Sequence, residues 1–214
     1  ISKTAASLLQ RGGSVTTITA QDVTQNQGDF NAPGTFNING NYTLNDGTFG
    51  ASTTINLYGN WTHASGATAI FSPNTGTVNF LGGNSQTIGG TASSETFYRV
   101  AVNKTAGTGL TTSGSVNTLT ISNTFTQTQG NFTAPSSLTV GSTFTITDGT
   151  FTAGANLYLA GSWSRASTVT AIFNHNSGTT TFNGAGGQNI QGSTSSETFY
   201  NVIINKSAGT LATG

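Results

Sequence analysis

The sequence predicts an all-β protein, a parallel β-helix or three-sided β-solenoid of about ten coils that come from two tandem repeats. Two observations carry this prediction. The chain repeats itself over almost its whole length, and short apolar-x-apolar elements recur inside each repeat. Most of these elements are followed by a Gly or Asn corner, and Gly accounts for 29 of the 214 residues, so helix is not expected.

The long repeat has an offset of 102 residues. The segment QGDFNAP at 27–33 returns as QGNFTAP at 129–135, Trp61 returns as Trp163, and the segment SSETFY at 93–98 returns at 195–200. One residue is gained or lost near positions 20–23. We therefore divide the chain into a first repeat at 1–102, which includes a partial N-terminal coil, and a second repeat at 103–214. Both are expected to lie in one continuous stack that forms a single structural domain.

A shorter period lies inside each repeat. Apolar-x-apolar elements begin at Phe36, Ile55, Val78 and Val100 in the first repeat and at Leu119, Leu138, Leu157, Thr180 and Val202 in the second. Such alternation is typical of strands with one buried face. Successive elements are 19, 23, 22, 19, 19, 19, 23 and 22 residues apart, so the sequence predicts one ladder that continues from Val100 to Leu119.

Two further ladders accompany the first. One is aromatic-x-apolar and contains Tyr42 and Phe144, with Trp61 and Trp163 in line, and the other is a series of Phe residues. Three inward strands per coil of roughly 20 residues describe a three-sided β-helix. An antiparallel sandwich in each repeat is the main alternative, but a sandwich does not require elements to recur at a near-constant step.

The composition limits the function. Charged residues make up 6% of the chain, the formal net charge is zero, and there is no Cys. The scattered basic residues form no patch for nucleic acid, no apolar stretch is long enough for membrane insertion, and disulfides or thiolate metal sites are ruled out. A surface of neutral hydroxyls and amides favours an extracellular protein.

The carboxylates are expected to be structural. Asp46 and Asp148 each precede Gly at repeat-equivalent positions, which is typical of turns. Glu95 and Glu197 lie in identical segments and are expected to bind backbone N–H groups or a neighbouring Lys. An active site is usually single, whereas a structural residue recurs with its repeat. The sequence therefore predicts no enzyme, no cofactor and no metal site.

Other candidate residues are few. His63 and His175 have no His or Cys at ligand spacing and are expected in exposed loops. Trp61 and Trp163 are expected in the core, whereas Tyr98 and Tyr200 follow inward Phe residues and are the candidate ligand-facing aromatics. Glycosylation sequons begin at Asn41, Asn60, Asn103, Asn131 and Asn205.

The pattern that runs from GTVNFLG at 76–82 through FYRVAVNK at 97–104 to LTI at 119–121 resembles the repeats of large exported bacterial surface proteins. These are filamentous-haemagglutinin-like adhesins and fibre proteins with β-solenoid stalks. The resemblance covers nearly the whole chain and implies a bacterial cell-surface location. Its motifs are architectural, so it implies no catalytic residues.

The function expected from the sequence is therefore structural or adhesive, as a stalk or fibre-forming β-solenoid. The segment at 1–5 occupies the same coil position as 204–208, so we expect head-to-tail self-association or further tandem repeats. A carbohydrate-binding or carbohydrate-active β-helix that contacts surface glycans is the alternative. Thr-rich strands also suggest an ice-binding face, although their Thr residues flank inward aromatics.

Overall fold

The computed structural model describes residues 8–10 and 13–214, and these contain 28 short strands and no helix. All strand pairs among them are parallel, and most join strands that are three apart in chain order. Such pairing is that of a solenoid in which every coil contributes one strand to each of three sides. The predicted β-solenoid is thereby confirmed.

Each side of the solenoid is a stack of parallel strands. The first side is one sheet of ten strands: β2 (Thr17–Ala20), β5 (Thr35–Ile38), β8 (Thr54–Leu57), β11 (Thr77–Gly82), β14 (Arg99–Lys104), β17 (Phe125–Gln129), β20 (Phe144–Ile146), β23 (Trp163–Arg165), β26 (Gln188–Gly192) and β28 (Leu211–Thr213). The second side is a sheet of eight: β3 (Val23–Gln25), β6 (Tyr42–Leu44), β9 (Trp61–His63), β12 (Gln86–Gly90), β15 (Gly109–Thr112), β18 (Asn131–Thr133), β21 (Thr150–Thr152) and β24 (Ile172–Asn174).

The third side is divided between two sheets, because β10 and β13 are not paired. The four-stranded sheet holds β1 (Leu8–Gln10), β4 (Asp29–Asn31), β7 (Gly47–Gly50) and β10 (Ala69–Ser72). The six-stranded sheet holds β13 (Ser94–Phe97), β16 (Thr118–Ile121), β19 (Ser137–Val140), β22 (Asn156–Leu159), β25 (Thr179–Phe182) and β27 (Asn201–Ile204).

The number of turns is about nine rather than ten. Three strands per turn and 28 strands give this number directly. The expectation of ten counted five turns for each repeat, but a repeat contains fewer. From β4 to its equivalent β18, 102 residues later, the chain passes through 14 strands, which is four turns and two further strands.

The second repeat is consequently rotated by one-third of a turn about the solenoid axis. The predicted continuation of one ladder from Val100 to Leu119 is wrong. Val100 pairs with Phe125 on the first side, and Leu119 pairs with Glu95 on the third side. The ladders of the first repeat therefore continue in the second repeat on a neighbouring side.

The core is a set of stacked apolar columns. Alternate residues of nearly every strand point inward, and Trp61 and Trp163 are fully buried, as the sequence predicts. Like rings stack between successive turns: Phe144 and Trp163 have centroids 4.8 Å apart, and Phe125 and Phe144 lie 5.1 Å apart. Burial of one such side chain contributes about 1.5–3 kcal/mol, and the partner atoms come from the adjacent turn.

Four glutamines lie inside the solenoid at two repeat-related pairs of positions: Gln25 and Gln127, and Gln86 and Gln188. The side chain of Gln127 donates to the carbonyls of Gly130 and Asp148, at 2.8 and 3.1 Å. Since a buried carbonyl at a corner lacks a strand partner, each glutamine supplies donors where the chain bends.

The corners also rely on Asp-Gly pairs. The backbone N–H of Gly47 donates to the carboxylate of Asp46 at 2.7 Å, and that of Gly149 donates to Asp148 at 2.6 Å. Gly149 has a φ of +80°, and a Cβ there would overlap the carbonyl oxygen of Gly130 in the previous turn. Only glycine satisfies both constraints.

Replacing Gly149 with Ala should destabilise the protein much more than replacing Gly107 with Ala. Both residues have a positive φ, +80° and +82°, but a Cβ at Gly107 meets nothing within 4 Å. The Gly107 variant should be destabilised only by the cost of placing Ala in the left-handed conformation, about 1–2 kcal/mol. The Gly149 variant must in addition separate two turns. Equal losses of unfolding free energy in the two variants, measured by urea denaturation, would contradict the close stacking of the corners.

Candidate functional site

The most chemically distinctive cluster is built around Glu95, which is 3% exposed. Its Oε2 accepts hydrogen bonds from the indole Nε1 of Trp61 at 2.7 Å and lies 2.9 Å from Nδ1 of His63. The second oxygen, Oε1, accepts the backbone N–H of Thr96 at 3.1 Å. The other ring nitrogen of His63 lies 3.0 Å from the carbonyl oxygen of Ala69.

Strand alternation assembles this cluster. Trp61 and His63 are two residues apart on β9, so both side chains point inward. Glu95 points inward from β13 in the following turn, and Ala69, the first residue of β10, brings its carbonyl to the same corner. The cluster thus ties together three strands from two turns.

In the second repeat Arg165 stands in place of His63, but the indole Nε1 of Trp163 and Oε2 of Glu197 have no hydrogen-bond partner. Nε of Arg165 donates to Oε1 of Glu197 at 2.7 Å, and Nη1 donates to the carbonyl of Ala171 at 2.8 Å. Ala171 is the repeat equivalent of Ala69. The expectation that His63 lies in an exposed loop is wrong, because it is 9% exposed and takes the place of Arg165.

The charge of Glu95 sets the protonation of its partner. Burial lowers the pKa of His63, but the hydrogen bond and negative charge of Glu95, with the Ala69 carbonyl, outweigh it and raise the pKa above 6.5. A protonated His63 then matches the permanent charge of Arg165. The feature common to both repeats is a largely buried carboxylate in contact with a basic side chain, which also contacts the carbonyl of Ala69 or Ala171.

A second pair of buried polar groups lies at another corner. Nζ of Lys104 donates to Oε1 of Gln86 at 2.5 Å and to the Leu81 carbonyl at 3.3 Å. Nζ of Lys206 makes the equivalent contact with Gln188 at 2.6 Å. Burial lowers the pKa of Lys104 to about 8. These lysines serve as internal donors to corner carbonyls, a position that is not expected from the sequence.

The candidate aromatics differ in environment. Tyr98 is half-buried, with the Arg99 guanidinium carbon 4.6 Å from its ring centroid and its hydroxyl 3.4 Å from Nδ2 of Asn123. Tyr200 is 59% exposed and lies beside His175, with ring centroids 5.5 Å apart. His175 lies half-buried in the loop after β24. Only Tyr200 therefore presents a largely open ring.

Two repeat-equivalent depressions lie on the outside. One, of about 250 Å³, is lined by Asp46, Thr48 and Ile70 among others, and the second, also of about 250 Å³, by Asp148, Thr150 and Ile172. Both are open to solvent and combine a carboxylate with an aliphatic side chain. Within residues 8–10 and 13–214, no three His, Cys, Asp or Glu side chains are arranged to hold a metal ion.

The same part of the chain has no helix of the length and apolarity that a membrane crossing requires. Comparison with known proteins finds no matching family model, no similar curated protein and no similar solved structure. The fold and the internal repeat are therefore the basis for any functional argument.

The stability of the protein should fall as pH rises above 6.5. A histidine whose folded-state pKa is raised stabilises the fold fully below its unfolded pKa, and this stabilisation is lost as pH rises through the folded pKa. His63→Arg should abolish this loss in urea denaturation, whereas Arg165→His should enlarge it. An unchanged pH profile in both variants would contradict the pairing of His63 with Glu95.

His63→Ala should lower the free energy of unfolding by about 3 kcal/mol, because it leaves Glu95 without a cation.

Lys104 should produce the opposite trend at higher pH. Its pKa of about 8 lies below the ordinary value of 10.5, so the unfolded chain binds more protons between these values and stability rises with pH there. The slope should approach about 1 kcal/mol per pH unit between pH 8 and 9.5. Lys104→Met should remove the rise. If the stability of this variant rises with pH by the same amount, a group other than Lys104 causes the rise.

Proposed function

We propose that this chain is a structural or adhesive β-solenoid, a segment of an extracellular stalk or fibre that is lengthened end to end. The observation that carries the proposal is the continuity of the stack across the repeat boundary. Strand β14, at that boundary, pairs with β11 on one edge and with β17 on the other. Each added repeat therefore lengthens the same rod rather than forming a separate domain.

The use of the charged groups supports this role. Glu95, Glu197 and Arg165 are engaged with one another or with backbone groups near the core, and Lys104 is buried. The outer surface of the described residues therefore carries few charges, among them Asp22, Asp46 and Asp148. The neutral, hydroxyl-rich surface, together with the resemblance to exported bacterial surface proteins, supports a place outside the cell.

The outward side chains form self-satisfied ladders. Nδ2 of Asn79 donates to Oδ1 of Asn56 at 2.8 Å, and Nδ2 of Asn56 donates to Oδ1 of Asn37 at the same distance. Nδ2 of Asn37 donates to the hydroxyl of Thr19 at 3.2 Å. These bonds run along the axis between turns. They favour reinforcement of a rod over recognition of ice by free polar groups.

Carbohydrate binding is the second candidate. The exposed ring of Tyr200 and the two repeated depressions beside Asp46 and Asp148 favour it, since a carboxylate can accept sugar hydroxyls next to an aliphatic contact. Glycan-array binding that is lost in an Asp46→Ala, Asp148→Ala double variant would support it. In that case the solenoid would be the scaffold of a binding module.

The chain should associate end to end as its concentration rises. The final turn leaves Val202 and Ile204 46% and 63% exposed, and low charge gives little repulsion between ends. Sedimentation and electron microscopy should detect elongated particles. Ile204→Lys should suppress them, whereas Val169→Lys, in an exposed lateral loop, should not. A chain that stays monomeric at millimolar concentration would contradict the fibre role.

A further inference from the structure

Lys104 is buried without a carboxylate partner. It is 1% exposed, and within the described residues its Nζ donates only to the side-chain oxygen of Gln86 and the carbonyl of Leu81, at 2.5 and 3.3 Å. A buried ammonium without a counter-charge is strongly disfavoured. Burial therefore lowers the pKa of Lys104 to about 8, and its amine is neutral more often than that of an exposed lysine. A neutral, desolvated lysine amine is a nucleophile.

Gln86 presents its carboxamide to this amine in a fixed orientation. Its Nε2 donates to the carbonyl oxygens of Leu57 and Gly59, at 3.0 and 2.5 Å, so that Oε1 faces Lys104. Gln86 is also 1% exposed, and these groups lie at the corner between the first and second sides in three consecutive turns. The carboxamide carbon is one bond away from the oxygen that Nζ contacts. An amine and an electrophilic carbon are thus held close together in a site without bulk water.

We propose that Lys104 and Gln86 form a covalent isopeptide bond in the folded protein. In this step Nζ attacks the carboxamide carbon Cδ, and a new bond from Nζ to Cδ replaces the bond from Cδ to Nε2. The departing Nε2 takes the proton that Nζ loses and leaves as ammonia. Atoms and charges balance without an oxidant, a reductant or a further reactant. The product is a secondary amide that joins the two side chains.

Three physical features favour this product. One amide is exchanged for another and ammonia diffuses away, so the reaction is drawn toward the bond. The amide carries no charge, which removes the penalty of a buried ammonium. Burial of both side chains also excludes water, the competing nucleophile, while the fold supplies the amine at a high effective concentration.

The equivalent pair in the second repeat, Gln188 and Lys206, is held differently and provides an internal comparison. Nζ of Lys206 donates to the carbonyls of Gly184 and Gly186, at 2.7 and 2.8 Å, and to Oε1 of Gln188 at 2.6 Å. Three acceptors satisfy all N–H groups of an ammonium, and the Lys206 side chain is partly exposed. Its amine therefore stays charged, and we expect no bond at this pair.

The bond has a direct structural consequence. Gln86 begins β12 and Lys104 ends β14 in the next turn, so the bond closes residues 86–104 into a covalent ring. Neither unfolding nor a pull along the solenoid axis can then separate these two turns completely. This consequence holds whether or not the chain forms fibres, so the inference goes beyond the proposed function and does not depend on it.

Intact-mass spectrometry of the purified protein tests the proposal. The measured mass should be lower than the mass of the sequence by one ammonia molecule, and a protease digest should contain a branched peptide that joins Gln86 to Lys104. Lys104→Arg keeps a cation but cannot form the bond, so this variant should have the full mass of its sequence. Lys206→Arg is the matched control and should still lack one ammonia.

The rate of bond formation gives a second readout. In protein that is purified unfolded and then folded in vitro, ammonia loss should accelerate about tenfold for each pH unit below the pKa of Lys104, because only the neutral amine reacts. The same chain kept in urea should retain its full mass, since only the fold brings the two side chains together. The rise of stability with pH that Lys104 causes belongs to the free amine, and it should disappear as the bond forms.

Two results obtained with the unaltered chain would overturn the proposal, so the test does not depend on whether a variant folds. One is a full sequence mass after prolonged incubation of the folded protein at a pH above the pKa of Lys104. The other is ammonia loss without a branched peptide, because an Asn-Gly pair can also lose ammonia. A Lys104→Arg variant that still contains the branched peptide would assign the bond to another lysine and would equally overturn it.

Discussion

The whole structure depends on in-register stacking of like side chains between consecutive turns. A single turn places only a few apolar side chains at the axis and cannot bury them alone. Trp163, for example, packs on Phe144 in the turn before it and on Phe199 after it, at centroid distances of 4.8 and 5.2 Å. Since each contact joins neighbours along the axis, stability depends on every turn having a turn on both sides.

The number of strands in a repeat is a second constraint, and it is independent of the first. Fourteen strands do not divide evenly among three sides, so the repeat and the turn have different periods. The junction tolerates this because most inward positions are apolar on all sides. Val100 stacks on Phe125, and Glu95 lies opposite Leu119, although neither pair unites repeat-equivalent elements.

The sequence predicts the strands well because their alternation is local. The apolar-x-apolar elements, the inward Trp61 and Trp163 and the Asp-Gly corners follow from residue type and spacing. The side on which each strand lies does not follow from residue type and spacing. It depends on how many corners lie between two strands, and the number of residues between them does not reveal that number. The 19-residue step from Val100 to Leu119 equals the length of a true turn elsewhere, and this coincidence concealed the change of side.

The polar interior is the other feature that is not predicted from the sequence, although part of its signal is present there. His63 stands two residues after Trp61, so strand alternation places both on the inward face. Gln25 and Gln86 recur at the 102-residue offset as Gln127 and Gln188, which indicates a fixed structural task. What alternation cannot supply is the partner, since Glu95 reaches Trp61 and His63 only after the next turn has formed.

The exchange of His63 for Arg165 shows which part of this interior is required. The carboxylate and the loop carbonyl are retained in both repeats, while the cation between them differs. The two repeats thus reach similar geometry with different dependence on pH, because only the histidine titrates near neutrality. Buried charge pairs can therefore hold consecutive turns together, and the choice of cation decides the pH range in which each pair stabilises the fold.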